Sequence, residues 1–385
     1  MIREVYLDNS ATTPVREEVA EAIMDVLTNR YGNPSSLHRM GIVAEKLVKE
    51  SRQILAQALG VKDDEIFFTS GGTESNNLAI KGAARANCRW GRHLLTTAVE
   101  HPSVLNACAQ LEEEGFRVTY LQVNAEGVIA PEELEAALTP ETILVSTMFV
   151  NNEVGSIQPL TEIGAILKKR ENIVWHVDAV QGFAKLPIRP KQLGIKLLSI
   201  SGHKFHGPKG VGALYVAKNT RLAPLFGGGG QELGLRSGTE NVPGIVGLGK
   251  AAALALDERD KAAARMGALK ELLREEILTR IPGTRLNGPQ TGGAPHILNI
   301  SFAGVKGEVL VHALEEAGIY VSTGSACSSR QAKTNHVLEA LGLDPEYREG
   351  ALRFSLSPLN TQEEMEYTVA KLAEIVPELR LFQRR

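Results

Sequence analysis

From about Val15 to Asp257 the chain alternates short apolar runs with amphipathic stretches, and this rhythm limits the fold more than any other feature. Apolar runs at 65–69, 93–98, 117–122, 143–148, 173–177, 196–200 and 211–216 read as strands. Stretches between them, such as 74–86 and 102–114, carry a helical period. Strand, helix, strand in succession requires crossover connections, so neighbouring strands run parallel and helices cover both faces of the sheet. The prediction is an α/β domain over 15–257 with a mostly parallel seven-stranded sheet. The run at 211–216 follows Gly207-Pro208-Lys209-Gly210 too closely for a crossover, so it is predicted to lie antiparallel to the strand before it.

Residues 243–280 read as one or two long helices rich in Ala, Leu, Lys and Glu. Beyond them the rhythm restarts at 297–302, 307–317, 319–321, 352–356 and 361–376. These runs predict a smaller α/β domain made of 258–385 and the N-terminal segment 1–14. A length of 385 residues with 43% hydrophobic content supplies enough apolar material for both cores. With 42 basic against 45 acidic residues, nothing in the charge balance calls for a nucleic-acid or membrane-surface partner. No apolar run approaches the roughly 20 residues of a membrane helix, and the opening MIREVYLDNSATTP lacks the apolar core of a signal peptide. The expected location is the cytoplasm. Three sparse cysteines, Cys88, Cys108 and Cys327, make neither a disulfide framework nor a zinc knuckle.

Polar residues gather just past the C-terminal ends of the predicted strands, where open α/β sheets bind their ligands. The first strand runs into Gly71-Gly72-Thr73-Glu74-Ser75, a small-residue turn that opens a helix. Its backbone N–H groups and the helix dipole suit a phosphate, although an ordinary tight turn with Thr73 as N-cap fits as well. The pattern is neither a Walker loop nor a dinucleotide fingerprint. The run at 173–177 ends in Asp178. A carboxylate there needs a cationic or hydrogen-bonding partner, and either a protonated pyridine nitrogen or a capped helix would serve. The run at 196–200 ends in Ser201-Gly202-His203-Lys204. A lysine in that position, once desolvated, becomes the neutral amine that forms Schiff bases; the alternative is an exposed loop lysine. Ser201 and His203 are within the same turn and suit a phosphate. His101 follows another strand end in Glu100-His101-Pro102, placed either to stack on a cofactor and move protons or as a satisfied structural histidine.

In the smaller domain, Cys327 lies in Ser322-Thr323-Gly324-Ser325-Ala326-Cys327-Ser328-Ser329. A cysteine among small polar residues is a candidate thiolate nucleophile, whereas Cys88 and Cys108 fall on predicted helices and read as packing residues. Arg353, on the predicted strand 352–356, suits a substrate carboxylate or a surface salt bridge.

Taken together these segments resemble the class V aminotransferases of the fold-type I pyridoxal-phosphate enzymes, and within them the cysteine desulfurases of the NifS/IscS type. The resemblance runs from Tyr6-Leu7-Asp8-Asn9-Ser10-Ala11-Thr12-Thr13-Pro14 through Gly32-Asn33-Pro34, Asn151-Asn152-Glu153, Asp178-Ala179-Val180-Gln181 and Arg236-Ser237-Gly238-Thr239 to Gly324-Ser325-Ala326-Cys327. It implies pyridoxal 5'-phosphate held on Lys204, with Asp178 on the pyridine nitrogen, Gln181 on the ring hydroxyl and His101 over the ring. It also implies a phosphate site from Gly72, Thr73, Ser201 and His203, completed by Thr239 of the second subunit of a homodimer. Asn152, Arg353 and Asn33 would orient the substrate. The implied reaction turns L-cysteine into L-alanine and leaves a persulfide on Cys327, in a mobile loop at about 322–333, for acceptor proteins such as an iron–sulfur scaffold. No metal is implied. A selenocysteine lyase, or another class V enzyme, would keep Lys204 and Asp178 without needing Cys327 as the nucleophile.

Overall fold

The computed structural model describes residues 4–323 and 335–383. Its strands are β1 (Val5–Tyr6), β2 (Ile66–Thr69), β3 (His93–Thr97), β4 (Arg117–Leu121), β5 (Thr142–Met148), β6 (Val174–Asp178), β7 (Leu197–Ser201), β8 (Gly212–Val216), β9 (Thr284–Asn287), β10 (Ile297–Phe302), β11 (Ile319–Tyr320) and β12 (Ala351–Ser355). Strands β2 to β8 form one seven-stranded sheet in the order β2-β8-β7-β6-β5-β3-β4. The pairs β3–β4, β3–β5, β5–β6 and β6–β7 are parallel. Strand β8 is antiparallel to both β7 and β2, as its short connection predicts. Two reversals bring β2 back into the direction of β7, so the strands that carry the polar termini all end on one edge.

Helices on both faces bury this sheet, which is why its inner strands are continuous apolar runs without alternation. Every residue of β5, β6 and β7 is buried, while the edge strand β4 alternates less completely and is partly exposed. Beyond this sheet lie an antiparallel three-stranded sheet, β12-β10-β9, and the short parallel pair β1–β11.

A single helix, Val242–Arg280, replaces the one or two expected from 243–280. Its 39 residues span about 58 Å at 1.5 Å per residue. Val242, Ile245, Leu248 and Ala251 near its start are buried in the core of the seven-stranded sheet. Met266, Leu269, Leu273 and Ile277 further along join a second core with Phe302, Leu314, Phe354 and Val369. The N-terminal segment also serves both regions. Val5 and Leu7 lie in the second core, and six residues after Leu7 the Thr13 amide donates to the His203 carbonyl at 2.9 Å. That crossing lays residues 8–13 over the ends of β6 and β7. No helix among the described residues is long and apolar enough to cross a membrane.

Candidate active site

The end of β6 presents the Asp178 carboxylate, buried and held from two sides. Oδ1 accepts from the Val180 amide at 2.9 Å, and Oδ2 accepts from Asn76 Nδ2 at 2.7 Å. Asn76 lies one turn into the Gly72–Asn87 helix and also donates to Ser103 Oγ at 2.9 Å. Ser103 Oγ is in turn 2.8 Å from His101 Nδ1. A continuous chain, Asp178–Asn76–Ser103–His101, thus links the strand end to the histidine.

His101 caps the Pro102–Glu113 helix, with Nδ1 accepting from the Ser103 amide at 3.1 Å. Because Nδ1 accepts from that amide, the ring proton of the neutral imidazole resides on Nε2. Burial lowers its pKa below the ordinary value, opposed by the Asp178 carboxylate and assisted by the charges of Lys204 and His336. Glu100, beside His101, is fully buried and pushed up to about 8 by burial and by Asp178. Glu100 thereby keeps its proton at neutral pH.

Past the end of β7, a single 3-10 turn, Gly202–Lys204, places the lysine. Lys204 Nζ donates to the carbonyl of Ser10 and, at 2.9 Å, to that of Ala11. Gln181 Nε2 donates to the same Ser10 carbonyl at 3.0 Å. The N-terminal segment thereby draws the lysine and the glutamine of two adjacent strand ends onto one acceptor. His203 Nδ1 lies 3.2 Å from Thr12 Oγ1. Its pKa falls to about 4, first by burial and then by the charges of Lys204, Lys209 and Lys185. Lys185 is itself pushed down to about 7 by burial and by Lys204.

Beside these groups opens a cavity of about 380 Å³, lined by Gly71, Gly72, Thr73, Ser201, His203 and Lys209 among others. Gly71, with φ of 147°, holds the N-cap of the Gly72–Asn87 helix in a conformation that favours glycine, so Thr73 is not the cap. A Cβ on Gly72 would come within 2.8 Å of Val180 Cγ2. The donor set fits pyridoxal phosphate. Helix N–H groups, the Ser201 hydroxyl and Lys209 suit the phosphate, the Lys204 amine suits the aldehyde, and the Asp178 carboxylate suits the ring nitrogen. Among the described residues no cluster of His, Cys, Asp and Glu could hold a metal ion.

Arg353, on β12, is buried and ion-paired with Asp8 at 2.9 Å and Glu153 at 3.2 Å, so neither a surface bridge nor an uncommitted anion site describes it. Its Nη1 also donates to the Asn152 carbonyl at 3.0 Å, and Asn152 Nδ2 donates to Glu153 at 2.6 Å. Burial raises the Glu153 pKa, opposed by Arg353. Asn33 lies in an exposed loop, its Oδ1 accepting from the Ser35 amide at 2.9 Å. Thr239 is exposed in the isolated chain. Cys327 lies outside the described residues. Cys108 is buried, with its thiol pushed up to about 12, and Cys88 is half-buried.

Sequence reasoning gave no role to Ser10, Asn76 or Ser103, although all three fall inside or beside motifs it quoted. Ser10 acts through its carbonyl, which any residue possesses, so no side-chain signal marks it. Asn76 had a usable signal, because a polar residue facing the sheet one turn past a phosphate turn needs a buried partner.

A lysine, a carboxylate and an anion-binding turn thus share one edge of a seven-stranded sheet, an arrangement that fits the class V aminotransferase family. Residues 5–368 match that family's model, Aminotransferase class-V, and the chain belongs to the family. It is 48% identical over 380 residues to the cysteine desulfurase IscS of Dictyoglomus turgidum, covering 99% of this chain and 96% of that one. It is 48% identical over 378 residues to the cysteine desulfurase IscS of Methanosarcina thermophila, covering 98% and 93% of the two chains. A NifS-like protein of known structure superposes with a TM-score of 0.92 at 42% identity, covering 98% of this chain and all of that one.

Proposed function

We propose that this protein is a cysteine desulfurase that converts L-cysteine to L-alanine and holds the released sulfur as a persulfide on Cys327. Its cofactor is pyridoxal 5'-phosphate, and it acts as a homodimer that passes sulfur to an acceptor such as an iron–sulfur scaffold. The observation that carries this reading is that Lys204 and Gln181, from adjacent strand ends, share the Ser10 carbonyl, while hydrogen bonds through Asn76 and Ser103 join Asp178 to His101 on the same edge.

Bound pyridoxal phosphate supplies an electron-poor ring that takes up charge released at the substrate Cα. Asp178 holds the ring nitrogen and Gln181 the ring oxygen. Gly72, Thr73, Ser201 and His203 hold the phosphate, with Thr239 of the second subunit. Arg353 and Asn152, with help from Asn33, orient the substrate carboxylate, which takes the place of Asp8 on the guanidinium. Lys204 Nζ moves the Cα proton, and His101 Nε2 carries a proton for the substrate thiol. The Cys327 thiolate forms an S–S bond to the substrate sulfur as the C–S bond breaks. That bond's electron pair passes to the substrate carbon, which takes up a proton and leaves in alanine.

The test compares wild type, Lys204→Ala and Cys327→Ala with cysteine as substrate. Alanine and protein-bound persulfide form with wild type. Lys204→Ala loses alanine formation by about a thousandfold or more. Cys327→Ala keeps the visible absorbance of the bound cofactor but carries no transferable sulfur. Persulfide delivery by Cys327→Ala at the wild-type rate would refute the reading.

A further inference from the structure

His296, at the foot of β10, is fully buried and belongs to no part of the site described so far. Its Nε2 lies 3.4 Å from Gln181 Oε1, across the boundary between the two cores. The orientation of the Gln181 amide is fixed by chemistry at its other end. A carbonyl oxygen only accepts, so the atom 3.0 Å from the Ser10 carbonyl is the amide nitrogen, and the atom facing His296 is the amide oxygen. An amide oxygen also only accepts, so His296 Nε2 carries the proton and donates it. The other ring nitrogen, Nδ1, is buried and has no partner among the described residues. A neutral ring tolerates that position, whereas an imidazolium would bury an unpartnered N–H there. Burial keeps His296 well below its ordinary pKa, and the charges of Lys185, Lys270 and Arg353 act in the same direction.

We propose that His296 is a positioning residue that, as the neutral Nε2–H tautomer, locks the Gln181 amide so that its second N–H is reserved for the ring oxygen of the cofactor. The proposal rests on the cofactor reading above. The same Ser10 carbonyl that orients Gln181 also accepts from Lys204, so one acceptor sets the stance of both groups that meet the ring. Without His296 only the Ser10 carbonyl distinguishes the two ends of the amide, so its oxygen turns more readily toward the ring oxygen, where two acceptors repel. The backbone holds the imidazole in place, because the His296 carbonyl accepts from the Leu356 amide at 2.9 Å.

The test uses the holoenzyme and reads retention of pyridoxal phosphate together with the absorption maximum of the bound cofactor. His296→Phe keeps the bulk and removes the donor, His296→Gln keeps an N–H donor, and Gln181→Leu removes the amide. His296→Phe is expected to weaken retention about tenfold, the worth of one well-placed hydrogen bond, and to move the absorption maximum in the direction that Gln181→Leu moves it. His296→Gln stays within about twofold of wild type, since its donor is retained. Adding His296→Phe to Gln181→Leu changes neither readout further, because His296 acts only through the amide. A merely structural histidine would instead give effects that add in full, and that result would overturn the proposal. Should His296→Phe fail to fold, His296→Met carries the same comparison. Unchanged retention and spectrum in the donor-free variant would overturn the His296 assignment alone. Normal uptake of pyridoxal phosphate by a wild type that makes no alanine would overturn the desulfurase reading alone.

Discussion

Glu100 lies in the wall of the site with its Oε1 accepting from the Met148 amide at 2.7 Å and from Thr97 Oγ1 at 2.9 Å. In the role proposed for it, Asp178 holds a protonated ring nitrogen, and a second anion beside it would compete for the same cation. Burial resolves the conflict by lifting the Glu100 pKa from 4.5 to about 8. The sign of the consequence follows from linkage. Below about pH 4.5 the group is protonated folded or unfolded, and its contribution is complete. Between pH 4.5 and about 8 only the unfolded chain gives up the proton, so stability drains away with rising pH, at up to about 1.4 kcal/mol per pH unit. Glu100→Gln keeps the shape and removes the titration. Wild type is therefore expected to match the variant within about 1 kcal/mol near pH 5 and to lose ground steadily toward pH 8, as measured by urea unfolding at each pH. Parallel stability curves for the two proteins would refute this account. Residue-level chemistry of this kind was only half legible in the sequence. Lys204, Asp178, His101 and the Gly71-Gly72-Thr73 turn could be singled out because each follows an apolar run directly. His296 and Asn76 act through contacts 115 and 102 residues distant in sequence, which no local pattern encodes.

The elements that hold these residues must also protect their own edges. Strand β2 ends the seven-stranded sheet and carries the phosphate turn, so its outer backbone groups face away from any strand partner. The Phe68 amide donates to Glu232 Oε2 at 2.9 Å, and Arg52 donates to the Ile66 carbonyl. Arg52 and Glu232 are themselves paired through two hydrogen bonds of 2.9 and 2.7 Å, with the Glu232 side chain almost wholly buried. The Arg52 guanidinium also lies 4.7 Å from the centroid of the Phe68 ring. One ion pair thereby caps an edge that would otherwise offer itself to another chain. Glu232→Ala leaves the Phe68 amide unpartnered and the Arg52 guanidinium with only the Ile66 carbonyl and the Phe68 ring, a loss of about 1 to 3 kcal/mol. The expected outcome is a melting temperature lower by several degrees and greater aggregation on heating, read by calorimetry and light scattering. A variant melting within a degree of wild type would show that the edge needs no such cap. The inner strands of this sheet were legible because both faces are covered and each reads as a buried, largely apolar run. Strand β9, Thr-Arg-Leu-Asn, was not, since only one of its residues is buried. Strand β1 offers too short a period to register, although its partner β11 falls in the run at 319–321, and the Val242–Arg280 helix hid its continuity by changing its buried face between the two cores.

At the scale of the whole molecule, Thr239 does not line the phosphate cradle of its own chain and stands exposed in the chain alone. If Thr239 completes the cradle of a second subunit, each site draws its lysine from one chain and its threonine from the other. The arrangement has a consequence that no single-chain site shares. Lys204→Ala removes the amine of a subunit's own site and leaves its Thr239 for the partner's. Thr239→Asp does the reverse, placing a negative charge against the phosphate across the interface. In a mixed dimer of the two variants, one site has both defects and the other has neither. Each variant alone is expected to be nearly inactive. Unfolding and refolding an equal mixture should give mixed dimers in about half of the population, each with one intact site of two, so alanine formation returns to about a quarter of the wild-type rate. If Thr239 serves its own chain's phosphate, the mixed dimer contains no intact site and the mixture stays as inactive as its parts. Recovery of activity on mixing therefore decides whether the site is shared between subunits.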